Sequence, residues 1–130
     1  YETSGHWAKF SSELFRITTR EGHEFAMKPM NCPHHTQIFG CQQRSYRDMP
    51  QRYAETTTCY RDEQTGELHG LSRVRAFTQD DAHVFCRPKQ VREEILKIWE
   101  IVDTFYEKVG FGALKVRLSL HDPNAFDKYL

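Results

Sequence analysis

The 130-residue sequence predicts an α+β fold, an antiparallel sheet flanked by helices. Three observations predict it. Residues 73–84 alternate with period two behind a turn-rich segment, as a half-buried strand does. Val91, Ile95, Ile98, Val102, Phe105, Tyr106 and Val109 recur at helical spacing. Prolines 33 and 88 stand where helices begin, since the fixed φ of proline suits a first turn.

Taken in order, YETSGHWAKF is turn-like around Ser4-Gly5 and then aromatic. ELFRITT (13–19) and EFAMK (24–28) read as short extended segments either side of Gly22. MNCPHHTQIFG reads as a helix with Asn31 or Cys32 at its cap and Gly40 as its stop. That places Cys32 at a helix N-terminus, where the dipole favours a thiolate. A basic loop, QQRSYRDMPQR, leads into a strand from about Tyr53 to Glu63. Gln64, Thr65, Gly66 and Gly70 supply turn chemistry, and a second strand returns from Arg73. The long amphipathic helix closes at Gly110 and is expected to cover a sheet. LKVRLSL (114–120) alternates as a further strand, and HDPNAFDKYL ends the chain without a terminal signal.

Equal totals of 18 basic and 18 acidic residues give zero formal net charge, which excludes a generic electrostatic grip on nucleic acid. The hydrophobic content of 38% suffices for one globular core. Four cysteines make no disulfide framework, and no signal peptide or membrane-spanning run is present. The expected compartment is the reducing cytoplasm, with no membrane partner. The chain opens on Tyr1 and not on methionine, so an upstream transit peptide, and with it an organellar form, stays open.

The chemistry concentrates on the hairpin. In an extended 73–84, Arg73, Arg75, Phe77, Gln79, Asp81 and His83 point one way, and Arg61 and Glu63 share a face on the partner strand. Arginine forks suit phosphate oxygens, and Phe77 offers a ring on which a purine stacks. Glu63 is suited to accept from an exocyclic amine. Phe77 to His83 spans about 20 Å at ~3.3 Å per residue, room for a nucleotide and a smaller polar ligand end to end. Neither a Walker loop nor a Rossmann glycine fingerprint occurs. Cys32-x-x-His35 and His83-x-x-Cys86 together have the composition of a Cys2His2 zinc set, but positions 83 and 86 face opposite ways on a strand. Cys32 and His83 with a third ligand and an open position make a cleaner site. A charged edge hairpin and ordinary core residues are the plainer alternatives for the same letters.

The runs SGHW (4–7), MKPMNCP (27–33), RSYRDMPQRYAE (44–55), YRDEQTGELHGLSRVRAFTQDDAHVFC (60–86) and VGF (109–111) resemble threonyl-tRNA synthetases. The likeness covers the first part of their class II catalytic domain and weakens after Gly112. YRDE…RVRAF is similar to motif 2 of class II synthetases, while MNCP with QDDAH is specific to the threonine enzymes.

The resemblance implies a role for each matching residue. Cys32 and His83 are implied as two of three ligands to a Zn2+ that takes up the amino and hydroxyl groups of threonine. Valine, an isostere without that hydroxyl, is thereby rejected. Met30, Gln79 and Asp81 are implied to hold threonine. Arg61 is implied to bind the ATP α-phosphate and stabilise charge in catalysis, Arg73 the γ-phosphate, Phe77 the adenine ring and Glu63 its amino group. Mg2+ would accompany ATP, and His6 is implied near the terminal ribose of tRNA(Thr). His34, Ala76 and Tyr60 depart from the usual residues without removing a ligand. Residues 1–130 are thus expected to be a partial class II core, holding the end of the motif 1 region, motif 2 and the zinc-ligand segment. Motif 3, the third zinc ligand, the editing and anticodon-binding domains and most of the homodimer-forming motif 1 lie outside it. Such a chain is expected to be inactive alone. A non-catalytic paralogue that binds tRNA or amino acid as a regulator, and a structural zinc module using His35 and Cys86, are the competing expectations.

Overall fold

A computed structural model describes residues 1–124; the last part of the tail HDPNAFDKYL lies outside them. A short helix α1 (His6–Lys9) is followed by β1 (Arg16–Thr18) and β2 (Glu24–Ala26), α2 (Cys32–Gly40), β3 (Gln51–Tyr60), β4 (Ala76–Phe85) and α3 (Val91–Lys108). Strands β1 and β2 form one small antiparallel pair, and β3 and β4 form a second, longer one. The chain divides into two compact units, Tyr1–Val91 and the stretch from Arg92 onward.

In the first unit the ribbon β3–β4 pairs Gln51 with Phe85 through to Tyr60 with Ala76. Its threonine-rich sequence suits a pleated, half-buried surface. The expected strand limits shift here. β3 stops at Tyr60 and β4 begins at Ala76, so Arg61, Glu63, Arg73 and Arg75 belong to the connection 61–75 and not to the strands. That connection contains a 3-10 turn at Thr65–Glu67 and a single bridge between His69 and Arg73. Gly70 takes a φ of 49°, a left-handed conformation that glycine adopts without strain. The connection is tied down by Arg61 N donating to Arg75 O at 2.9 Å and Asp62 N to Glu13 O at 2.9 Å.

α2 begins where Asn31 and Pro33 predict, with Pro33 in its first turn. Asn31 is completely buried, as is Cys59 on β3. The segment before α2 runs against the ribbon, with Tyr60 N donating to Lys28 O at 2.8 Å.

In the second unit α3 ends as its sequence indicates. Gly110 has a φ of 82°, Phe111 N donates to Tyr106 O at 3.0 Å, and the Tyr106 and Phe111 rings meet edge-on at 5.3 Å. This is a glycine-terminated helix end with its accompanying apolar contact. The apolar stripe finds no cover among the described residues of its own unit, where Ile95, Ile101 and Phe105 are 56%, 69% and 63% exposed. LKVRLSL forms no strand. Alternation alone does not make one, because a ladder partner is needed and none pairs with it among the described residues.

Candidate functional site

The ribbon sorts its side chains by register. Tyr53 pairs with His83, Glu55 with Asp81, Thr57 with Gln79 and Cys59 with Phe77, so these eight residues lie on one face. Phe77, Gln79, Asp81 and His83 are half-buried, whereas Ala76, Thr78, Asp80 and Ala82 between them are exposed. The far face carries a Thr58–Thr78 hydroxyl contact at 3.1 Å and a Thr56–Asp80 hydrogen bond. The expected row of a ring, an amide, a carboxylate and an imidazole on one side is therefore present.

Helix α2 and the segment before it cover part of that face. Phe39 stacks on Phe85 with centroids 4.2 Å apart and planes 6° from parallel. Asn31 Nδ2 donates to Asp81 Oδ2 at 2.9 Å. Lys28 hydrogen-bonds Thr57 and stands 3.6 Å from Glu55.

At the loop end of the face, Arg61, Glu63, Ser72, Arg73 and Phe77 line a single depression of about 370 Å³. The Arg61 guanidinium lies over the Phe77 ring, 5.1 Å from its centroid, an attraction between cation and ring quadrupole. Arg61 Nε is buried without a hydrogen-bond partner among the described residues, an arrangement that calls for an acceptor. Glu63, only 6% exposed, accepts from Arg73 Nε at 2.9 Å and Arg73 Nη2 at 2.8 Å. The hydrogen bonds from Arg73 hold the Glu63 carboxyl below the usual carboxylate range. Two residues assigned separate tasks from sequence are thus joined to each other.

At the opposite end, Cys32 is the first residue of α2, a half-buried free thiol. His83 Nδ1 lies 2.7 Å from His35 Nδ1 on that same helix and 3.9 Å from Asp81 Oδ2. His35 Nε2 in turn faces Glu55 Oε1 at 3.7 Å. Among the described residues no group of three or more His, Cys, Asp or Glu side chains is arranged to hold a metal. Met30 contributes its carbonyl, which accepts from Tyr1 Oη at 3.4 Å. Tyr1 also touches His34 Nε2 at 3.5 Å, and burial, with the nearby Cys59 and Cys32, pushes its phenol up to about 12. His6 stays on α1, its Nδ1 2.8 Å from Ser4 Oγ and its ring 6.4 Å from that of Tyr1.

Sequence reasoning missed Glu55, and it weighed His35 only as a zinc ligand and not as a partner of His83. The Cys32-x-x-His35 spacing is visible in the letters, but only the fold turns His35 toward His83. The placing of Glu55 opposite Asp81 depends on a strand register that no local signal specifies.

Residues 15–129 match the family described as tRNA synthetase class II core domain (G, H, P, S and T), and the chain belongs to that family. Within it, the chain is 52% identical over its whole length to the threonine–tRNA ligase of Cytophaga hutchinsonii. It spans 20% of the length of that relative. Among solved structures, the RNA binding domain of threonyl-tRNA synthetase from Cryptosporidium parvum Iowa II superposes with a TM-score of 0.76. That match has 41% identity and covers 84% of this chain and 27% of the other. The Aeropyrum pernix protein designated threonyl-tRNA synthetase gives 0.77 at 34% identity, covering 86% and 25% respectively.

Proposed function

We propose that this chain is the motif 2 and metal-ligand part of a threonine–tRNA ligase, residues 1–130 forming part of its catalytic core. The protein containing it joins threonine to ATP as threonyl-adenylate and passes the threonyl group to tRNA(Thr). One observation carries the reading: Phe77, which lines the loop-end depression with Arg61 and Arg73, lies on the same ribbon face as Asp81 and His83 beneath α2. A nucleotide and a small amino acid need such neighbouring sites.

In this reading ATP arrives with Mg2+, and Phe77 receives the adenine ring when Arg61 swings its guanidinium toward the α-phosphate. Arg61 then faces the charge that develops as the threonine carboxylate displaces pyrophosphate. Arg73 turns from Glu63 to the γ-phosphate, and the released carboxylate accepts from the adenine amino group. Gln79, Asp81 and the backbone at Met30 orient threonine. Cys32 and His83 would hold Zn2+ with a third ligand from elsewhere in the protein, since thiol and imidazole are zinc donors. The contacts of His83 with His35 and Asp81 both run through Nδ1, which leaves Nε2 for that role. Bound zinc would supply a coordination site that threonine's hydroxyl fills and valine cannot. His6 serves the transfer step near the terminal ribose. A homodimer in the cytoplasm completes the proposal.

Threonine-dependent ATP–pyrophosphate exchange by the full-length protein tests it. Exchange is expected with threonine, weakly with serine and not with valine. Arg61→Ala should lower kcat/KM by about 10²–10³-fold, the scale for losing a charge-stabilising donor. Binding of ATP or tRNA without any threonine-dependent exchange would replace the ligase with a non-catalytic, regulatory relative.

A further inference from the structure

We infer that His35 is a positioning residue that holds His83 with its proton on Nδ1 and its Nε2 lone pair open, and that Glu55 sets His35 in turn. This deepens the zinc reading above and rests on it. His35 Nδ1 approaches His83 Nδ1 to 2.7 Å. In neutral imidazoles one nitrogen donates and the other accepts, so one of these two rings must be the donor.

The carboxylates decide which. Glu55 Oε1 lies 3.7 Å from His35 Nε2, beyond hydrogen-bond length. A lone pair on that nitrogen would nevertheless face a negative charge, and an N–H would be attracted to it. His35 therefore carries its proton on Nε2 and accepts at Nδ1. Asp81 Oδ2, 3.9 Å from His83 Nδ1, favours the proton on His83 Nδ1 by the same reasoning. Both acids point to one arrangement: carboxylate, His35 Nε2–H, His35 Nδ1 accepting from His83 Nδ1–H, and His83 Nε2 left as a donor atom for a metal.

The surroundings make the arrangement hard to lose. His35 is 3% exposed, and its ring meets that of His83 nearly edge-on, 83° between planes. Asn31 Nδ2, fixed by burial, donates to the same Asp81 oxygen, Oδ2, and holds it in place. A metal-bound histidine usually donates its second nitrogen to such a partner, which fixes ring orientation and ligand basicity. Here the partner is a second histidine on the helix that also starts with Cys32, so α2 would place one donor and orient the other.

Two measurements on the full-length protein test this. Nitrogen-15 chemical shifts of the histidine rings in metal-free protein should show His83 as the Nδ1–H tautomer and His35 as Nε2–H. The opposite assignment for His83 overturns the inference. Zn2+ affinity, measured by competition with a chromophoric chelator, should fall about ten- to a hundredfold in His35→Leu. It should recover in His35→Asn, whose carbonyl can accept from His83, and fall less in Glu55→Ala, which alters an exposed residue and leaves the buried packing intact. Unchanged affinity in His35→Leu and Glu55→Ala, with loss in Cys32→Ser and His83→Asn, sinks the positioning role alone. Unchanged affinity in Cys32→Ser and His83→Asn sinks the zinc reading itself.

Discussion

Glu63 and Arg73 show how a buried carboxylate is held in place at the loop end of the ribbon. A carboxylate shielded from water needs a partner, and Arg73 supplies two hydrogen bonds to one of its oxygens. Because folding depresses the Glu63 pKa, the linked stability is fully present above the ordinary glutamate value of about 4.3. It drains away as pH falls through the lower folded value. Glu63→Gln should therefore flatten the acid side of a plot of Tm against pH and leave the neutral region nearly level. An unaltered acid limb would mean that the pair contributes nothing to folding. The sequence could nominate both residues, since motif 2 resemblance marks them, but not their pairing with each other. That pairing follows from the connection 61–75 folding back, where the glycines suggested a tight turn.

Among the elements, α2, α3 and the two long strands were legible because each carries its own local signal. Pro33 opens α2, the 3-4-7 spacing runs through α3, Gly110 ends it, and odd and even positions of β4 separate from Ala76 to His83. The segment 114–120 was misread for the opposite reason, since a strand is completed by a partner remote in sequence. The contact between α2 and the ribbon has the same non-local origin, and it rests on the Phe39–Phe85 stack, with Tyr53 meeting Phe85 edge-on at 5.6 Å. Phe85→Ala should cost about 2 kcal/mol, below the full cost for a fully buried ring because Phe85 is half-buried. Chemical denaturation would measure it. The His83 ring resonances should shift in the same variant, because α2 carries the His35 contact; unmoved resonances would show that the stack does not seat the helix.

At the scale of the whole molecule, zero formal net charge and a sequence pI of about 7.2 leave no broad positive field with which to gather RNA. Any hold on a tRNA must come from sequence outside these 130 residues or from a local arrangement such as the arginines of 61–75, the latter with a correspondingly shallow dependence on salt. No helix among the described residues is long and apolar enough to cross a membrane. Among the described residues the sheet that carries the candidate site consists of two strands, and each of them is consequently a border, covered on β3 at Tyr60, whose N–H donates to Lys28 O. Ten residues long on either side, those borders present rows of amides and carbonyls that any extended peptide could dock against. The isolated 130-residue chain should therefore seed fibrous growth at pH values near 7, read by a rise in thioflavin fluorescence with concentration. Replacing exposed Ala54 and Ala82 by lysine should delay that rise, because like charges brought together along a growing stack repel.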